Sequence, residues 1–400
     1  MNALYKLKVD SLFSFLSLLL FIVVMIKAPM VYRYFGLEFP IWYRLLIVLG
    51  LTLNGLVLFC YGTVKVFRCK FEKMVDLFPV LLIYVLLVYI GIIIFMNGAI
   101  VSNEVNELNQ TVFFQYIIFF SLGLYLNRIL KYEKTLTLLY WGIVVFWLSN
   151  LNDFFLLDLT KSGLNDDSYL IYSDYFAIIS LLIVYLKRNS GLLILYVLVS
   201  IFVIYTLNSR SAFVFLSFTL LLMSYLMDNK FYKYSFIVLF VGIVYIVYSY
   251  IDLDLLQNMR MFSVLFGTNA DVDGSAQARQ FLMEANLKDI RDNWLIGNYG
   301  GQYEMFGLAG AYIHNILSYW RQFGLLAFFS IIYLLGFMSI QSFWIMKNRN
   351  KDKYLLPLFA VYVILGMIFS KAYTYPTLWL LLGFYTYWVV KNKAVVKCEF

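Results

Sequence analysis

Apolar runs of 17 to 22 residues recur along the whole chain, and they constrain its fold more tightly than any other feature. One such run, coiled as a helix, crosses a hydrocarbon core about 30 Å thick. Inside lipid the backbone must satisfy its own hydrogen bonds, which leaves only helices and closed barrels. These runs are continuously apolar and do not alternate in the two-residue period of a barrel strand, so helices are expected. Composition agrees: 63% of residues are hydrophobic, 14% are charged and the mean hydropathy is +0.80. A soluble domain is about half apolar and a quarter charged. Aromatics reach 20% and gather at the ends of the runs, where interfacial belts form.

The sequence predicts helices near 11–28, 40–61, 77–97, 111–127, 135–151, 168–186, 190–207, 211–227, 232–251, 313–345, 354–371 and 374–390. The fold class expected is therefore an all-α polytopic membrane protein of about 12 transmembrane helices with one large extracytoplasmic loop. Its tenth run is too long for a simple span, so the first part is expected in or near the outer interface. The pattern divides the chain into residues 1–251 with nine helices, a loop at 252–312, and 313–400 with three more, all within one membrane domain.

Basic residues give the orientation. With Arg44 set aside inside its span, the odd-numbered non-membrane segments hold 20 Lys and Arg and the even-numbered ones 10. Five of those 10 lie in or beside the long loop, where the positive-inside rule has little force. Lys65, Arg68, Lys70 and Lys73, and again Lys347, Arg349, Lys351 and Lys353, mark cytoplasmic connections. Both termini are expected in the cytoplasm and the loop outside. The net charge of +8 thus belongs to cytoplasmic connections and does not call for nucleic acid. Cys60, Cys69 and Cys398 all fall on the cytoplasmic side, where no disulfide is expected. Ala28-Pro29-Met30 does not read as a cleavage site, so the first run is expected to stay as a helix.

An ionisable residue within a span is costly, so such residues carry information. Arg44 lies about one turn into the second helix, and Arg210 lies in the tight turn Asn208-Ser209-Arg210-Ser211. Asp174 sits near the outer end of the sixth helix, and Arg321 and Lys371 also fall towards that side. The loop adds Arg260, Arg279, Lys288 and Arg291. Together they form a basic outer vestibule suited to a phosphate or diphosphate head group. Arg and Lys at helix ends also snorkel to the interface. Arg210 stands apart because its turn is short and the outer connections are otherwise poor in bases. The single histidine, His314, lies where the loop re-enters the membrane, and its side chain titrates nearest the range useful for proton transfer. A helix starting near Tyr312 would put His314, Ser318 and Arg321 on one face, His314 and Arg321 roughly 10 Å apart.

Ser275–Trp294 reads as an amphipathic helix, and Leu295–Gly301 brings glycines capable of close approach. Asn269, Asp271 and Asp273 imitate the start of a calcium loop, but the first ligand would be Asn and the twelfth position is Gln280. An Asx-rich turn is preferred, and no metal or other cofactor is expected. The sequence has no zinc-binding Cys/His set, Walker A motif or dinucleotide fingerprint.

An ordered set of short motifs carries a resemblance. Asn208-Ser209-Arg210-Ser211-Ala212 opens an apolar helix, and Ala278-Arg279-Gln280 follows in the loop. Next come Asn293-Trp294-Leu295-Ile296-Gly297 with Gly300, then His314-Asn315 and Gly324-Leu325-Leu326. In this order and topology the chain resembles the O-antigen polymerase (Wzy) and O-antigen ligase (WaaL) superfamily of bacterial envelope glycosyltransferases. The motifs cover about residues 205–335. The family's proline before the loop glycine is absent, its place taken by Trp294-Leu295-Ile296.

The resemblance implies a GT-C-like enzyme of the inner membrane acting on undecaprenyl-diphosphate-linked oligosaccharides. It implies that Arg210 and Arg279 hold the diphosphate and that His314 is the base; the charge reading adds Arg321, Arg44 and Arg291 as further diphosphate candidates. Asp174 is the reserve base. Expected partners are membrane lipids and the chain-length regulator and flippase of the same pathway. The expected activity is polymerisation of repeat units into O-antigen or capsular polysaccharide, the alternative being ligation of polymer to lipid A-core. A flippase is less favoured, because the ionisable groups gather at the outer face and no repeated halves are visible.

Overall fold

The computed structural model describes residues 2–26, 41–69, 71, 74–98, 100–152, 168–207, 209–226, 274–308, 311–348 and 354–393. Side chains at 2–9, 41–46, 75, 168–169, 225, 274–279 and 393 lie outside the described set. Every element among the described residues is a helix: α1 (Asn2–Ile26), α2 (Ile41–Arg68), α3 (Met74–Asn97), α4 (Asn103–Leu124), α5 (Leu126–Ile129), α6 (Glu133–Leu148), α7 (Ser168–Leu186), α8 (Leu193–Thr206), α9 (Arg210–Leu226), α10 (Gly274–Asp292), α11 (Gly301–Phe306), α12 (Leu317–Lys347), α13 (Leu355–Phe369) and α14 (Thr377–Lys393).

Three of these are long and apolar enough to cross a membrane: Ile47–Arg68 in α2, Asp76–Asn97 in α3, and α12. Shorter apolar helices lie within α1, α7, α8, α9 and α13. The α2 span is only 17% buried, and Val48, Leu49, Leu53, Val57 and Phe67 stand exposed along it. An exposed apolar face of that size marks a surface made for lipid or protein, not water. The chain is a helical membrane protein.

The core is built where helices come close. Gly123 on α4 and Gly383 on α14 cross so tightly that a Cβ on Gly383 would lie 2.0 Å from the Phe120 carbonyl oxygen. One added to Gly123 would lie 2.2 Å from that of Leu380. Small residues at a crossing let two backbones touch, which is how helices associate without a hydrophobic driving force. On the same pair Tyr116 stacks on Trp379 with ring centroids 4.8 Å apart.

Ion pairs mark the two ends of the bundle. At one end Asp10 of α1 accepts from Lys65 of α2 and from Arg128 beyond α4, each at 3.0 Å. Lys187 after α7 donates to Glu133 at the start of α6 at 2.6 Å. At the other end lie the first turns of α7 and α12 and the buried connection 370–376, with α10 and α11 packed above.

Several expectations change. Helix α4 starts at Asn103, not 111, because Ser102 caps it, accepting from the Val105 N–H at 3.4 Å. The tenth run starts at Leu317, not 313, since Asn315 Oδ1 accepts from the Leu317 N–H at 2.9 Å and closes a non-helical turn. His314 therefore precedes the helix, and the shared face with Ser318 and Arg321 does not exist. The run is also broken at Gly324, with φ 79° and ψ −175°. Cys69 is disulfide-bonded, against the expectation of none. That expectation rested on which side the cysteines face, which says nothing of how near each other they lie. The expected helix 232–251 and the Asn269–Asp273 turn lie outside the described residues.

Candidate functional site

The site is built around the break in α12. A helix that breaks frees backbone groups, and each freed group must find a new partner. Here the Arg321 carbonyl accepts from the Asn298 N–H at 2.7 Å and the Phe323 carbonyl from the Tyr89 hydroxyl at 2.9 Å. The Leu325 N–H donates to the Leu295 carbonyl at 3.1 Å. Two glycines make this approach possible. A Cβ on Gly297 (φ +80°) would lie 2.5 Å from the Gly324 nitrogen, and one on Gly324 would lie 2.5 Å from the Leu295 oxygen. Two of the motifs singled out in the sequence, Asn293–Gly297 and Gly324–Leu326, thus clasp backbone to backbone.

Asp289 on α10 fastens the clasp. Its Oδ2 accepts from Arg321 Nε at 2.8 Å, and its Oδ1 from Asn293 and Asn298 Nδ2 at 3.0 and 2.8 Å. Arg321, 1% exposed, also donates from Nη1 to Gln302 and, at 3.3 Å, to Gln322. The candidate diphosphate ligand Arg321 is therefore committed to holding the loop helix. Its Nη2 has no hydrogen-bond partner among the described residues.

The connection 370–376 forms a second hub. The Tyr373 N–H donates to Ser318 Oγ at 2.7 Å, its hydroxyl to Asn109 Oδ1 at 2.8 Å, and its carbonyl accepts from Tyr116 and, at 3.4 Å, from Tyr319. Burial pushes the Tyr373 phenol well above its ordinary value, so it stays neutral and donates. Two residues earlier, Lys371 Nζ meets Asp174 Oδ2 at 2.5 Å, and Tyr362 donates to Asp174 Oδ1 at 3.0 Å. Ser318→Ala leaves the buried Tyr373 N–H without an acceptor. The expected cost is about 1–3 kcal/mol, read as a lower unfolding temperature in detergent, and Ser318→Thr should keep most of the stability.

His314 lies between the two hubs. Its ring is 5.4 Å from that of Tyr312, which is itself 5.4 Å from that of Tyr373. The Tyr312 hydroxyl accepts from Thr374 Oγ1 at 3.1 Å. On the other side Asn315 Nδ2 donates to the sulfur of Met283 at 3.7 Å. Met283 is one turn along α10 from Arg279, so the His314-Asn315 segment rests against the helix that bears Arg279.

The remaining candidates are more dispersed. Arg210 is partly buried and opens α9, which packs on α7 and α13, the helices leading to Asp174 and Lys371. Arg291 is exposed in the last turn of α10. Arg44 lies in the first turn of α2 and Arg279 in the first half of α10; both side chains are outside the described set. Among the described residues no group of three or more His, Cys, Asp or Glu is placed to hold a metal.

Sequence reading missed Asp289 and Tyr373. The signal for the second was a polar and aromatic run, Ser370-Lys371-Ala372-Tyr373-Thr374-Tyr375-Pro376, longer than a two-residue turn requires. Away from these hubs, a cavity of 420 Å³ opens between α1, α6 and α7, lined by Ile22, Met25, Leu139, Ile143, Trp147 and Phe176. With a lining this apolar it suits a hydrocarbon chain and not a sugar. Comparison of the chain with protein-family models and with curated proteins finds no match.

Proposed function

We propose that this protein is a multi-pass glycosyltransferase of the O-antigen polymerase type. It joins undecaprenyl-diphosphate-linked oligosaccharide repeat units into O-antigen or capsular polysaccharide at the outer face of the bacterial inner membrane. In this reading about 12 helices span the membrane in a GT-C-like bundle, both termini are cytoplasmic, and residues 252–312 form the extracytoplasmic loop. The observation that carries it is the contact of Asn315 with Met283. It draws the His314 segment to the helix of Arg279, two of the motifs that carry the resemblance.

A hydroxyl of one lipid-linked repeat unit attacks the anomeric carbon of the lipid-linked growing chain. The new glycosidic C–O bond forms as the bond to the diphosphate breaks, His314 takes the hydroxyl proton, and undecaprenyl diphosphate leaves with inversion. Charge accumulates on the leaving diphosphate, so Arg210 and Arg279 supply the larger electrostatic contribution, with Arg44 and Arg291 at the rim. Arg321 serves by positioning α10 through Asp289. Both carboxylate oxygens of Asp174 are engaged by Lys371 and Tyr362, which leaves His314 as the base.

The test uses the purified protein in lipid nanodiscs, supplied with lipid-linked repeat units alone. A polymerase lengthens them, whereas a ligase stays idle until lipid A-core is added. His314→Ala should slow extension by about 10²–10⁴-fold and Arg210→Ala or Arg279→Ala by about 10²–10³-fold, without loss of membrane insertion. Wild-type chain lengths in all three variants would sink the proposal.

A further inference from the structure

The loop that clasps α12 presents three consecutive exposed apolar side chains at one turn. Trp294, Leu295 and Ile296 are 53%, 56% and 73% exposed. The Leu325–Leu295 hydrogen bond and the Gly297–Gly324 approach fix this turn against α12, beside Leu326 and Phe329, which are exposed on the same stretch of helix. Beyond the Gly324 break, α12 continues to Lys347, a length of about 34 Å at 1.5 Å per residue. That matches a hydrocarbon core about 30 Å thick. With Lys347 at one interface, its ammonium 5.0 Å from the Trp344 ring, the break falls at the other. The turn lies at that depth.

We propose that Trp294–Ile296 is a lipid-immersed anchor. It sits at the boundary of hydrocarbon and head groups in the leaflet where α12 begins its span and holds α10 at the head groups. Its occupant is the bilayer itself, for three reasons. The apolar surface is continuous with the exposed face of a membrane-crossing helix. Lys288 and Arg291 stand exposed on α10 within two turns of it, where anionic lipid phosphates would meet them. An irregular turn also enters lipid only when its backbone is satisfied by protein. Here the Trp294 carbonyl accepts from Trp320 Nε1 at 2.6 Å, the Leu295 carbonyl from Leu325, and the Gly297 N–H donates to the Asn293 carbonyl at 2.9 Å. A turn facing water would not need those partners. Trp320, stacked on Phe328 at 4.7 Å, completes an indole pair at the interface.

The inference rests on α12 crossing the membrane and not on the glycosyltransferase reading. Nitroxide labels at Ile296→Cys and Leu295→Cys, each in a Cys60→Ser background and in phosphatidylethanolamine/phosphatidylglycerol nanodiscs, test it. Collision with oxygen reports lipid, and collision with a water-soluble nickel chelate reports solvent. Labels at Leu326→Cys and Lys131→Cys, the latter on an exposed turn at the far end of the bundle, serve as lipid and water references. The loop-turn labels should match 326, with several-fold fewer nickel collisions than 131. Nickel collisions equal to those at 131 would overturn the proposal, as would shielding from both reagents, the mark of a protein partner or second copy on the turn.

Discussion

Arg321→Ala should cost the fold about 3–5 kcal/mol, the range for removing one partner of a buried ion pair. The change leaves the Asp289 carboxylate, 8% exposed, facing Asn293 and Asn298 without its cation. It also strips Gln302 of its donor. Both losses fall on the joint between α10 and α12, so limited proteolysis should cut 274–308 faster than the helices of the bundle. Asp289→Asn should be milder, because an amide still accepts a hydrogen bond while the charge is lost. The double change Arg321→Met with Asp289→Leu should recover much of the deficit, since a buried pair replaced by apolar groups of similar size is often neutral. Thermal unfolding of the three variants in detergent decides it. If the double variant falls as far as the sum of the singles, the pair is not the source of the stability.

Gly324→Ala is the second large effect. At φ 79° and ψ −175° the residue occupies a region open almost only to glycine, worth about 1–3 kcal/mol to any side chain forced there. The added Cβ would also meet the Ile296 carbonyl carbon at 2.5 Å, and overlap of this kind adds about 1–3 kcal/mol more. Backbone cannot step aside as a flexible side chain does. Gly142→Ala is the control, because on α6 a Cβ there meets open space. Replacing a helical glycine in such a place should stabilise by up to about 1 kcal/mol. Equal unfolding temperatures for the two variants would refute the account of the clasp.

What sequence revealed and what it hid divide along one line. Long apolar helices such as α3 and α12 declare themselves through length and hydropathy. Their ends depend on single side chains, and there the reading slipped. Ser102 starts α4 two turns early because its first turns are polar, and Asn315 delays α12 because a side-chain carbonyl competes with the helix. The amphipathic helix expected at Ser275–Trp294 is legible in the sequence, and α10, Gly274–Asp292, fills nearly that range. Pairing was not legible. Nothing local tells Asp289 that its cation is 32 residues away, or Asp174 that Lys371 is 197 away. Charge at a helix mouth, as at Arg321, can be counted in a sequence before its partner Asp289 is known.

The crossing of α4 with α14 bears on how the protein is made. Asn109 on α4 and Tyr373 just before α14, bonded about 21 Å along α4 from that crossing, are separated by 264 residues. A chain inserted from its N-terminus exposes the glycine groove of α4 long before α14 exists to fill it. Until then the final partners of Asn109 and Tyr116 are still unsynthesised. Assembly of this bundle is therefore a delayed event. The early helices must wait, in the care of the insertion machinery or of surrounding lipid, for the segment that closes them.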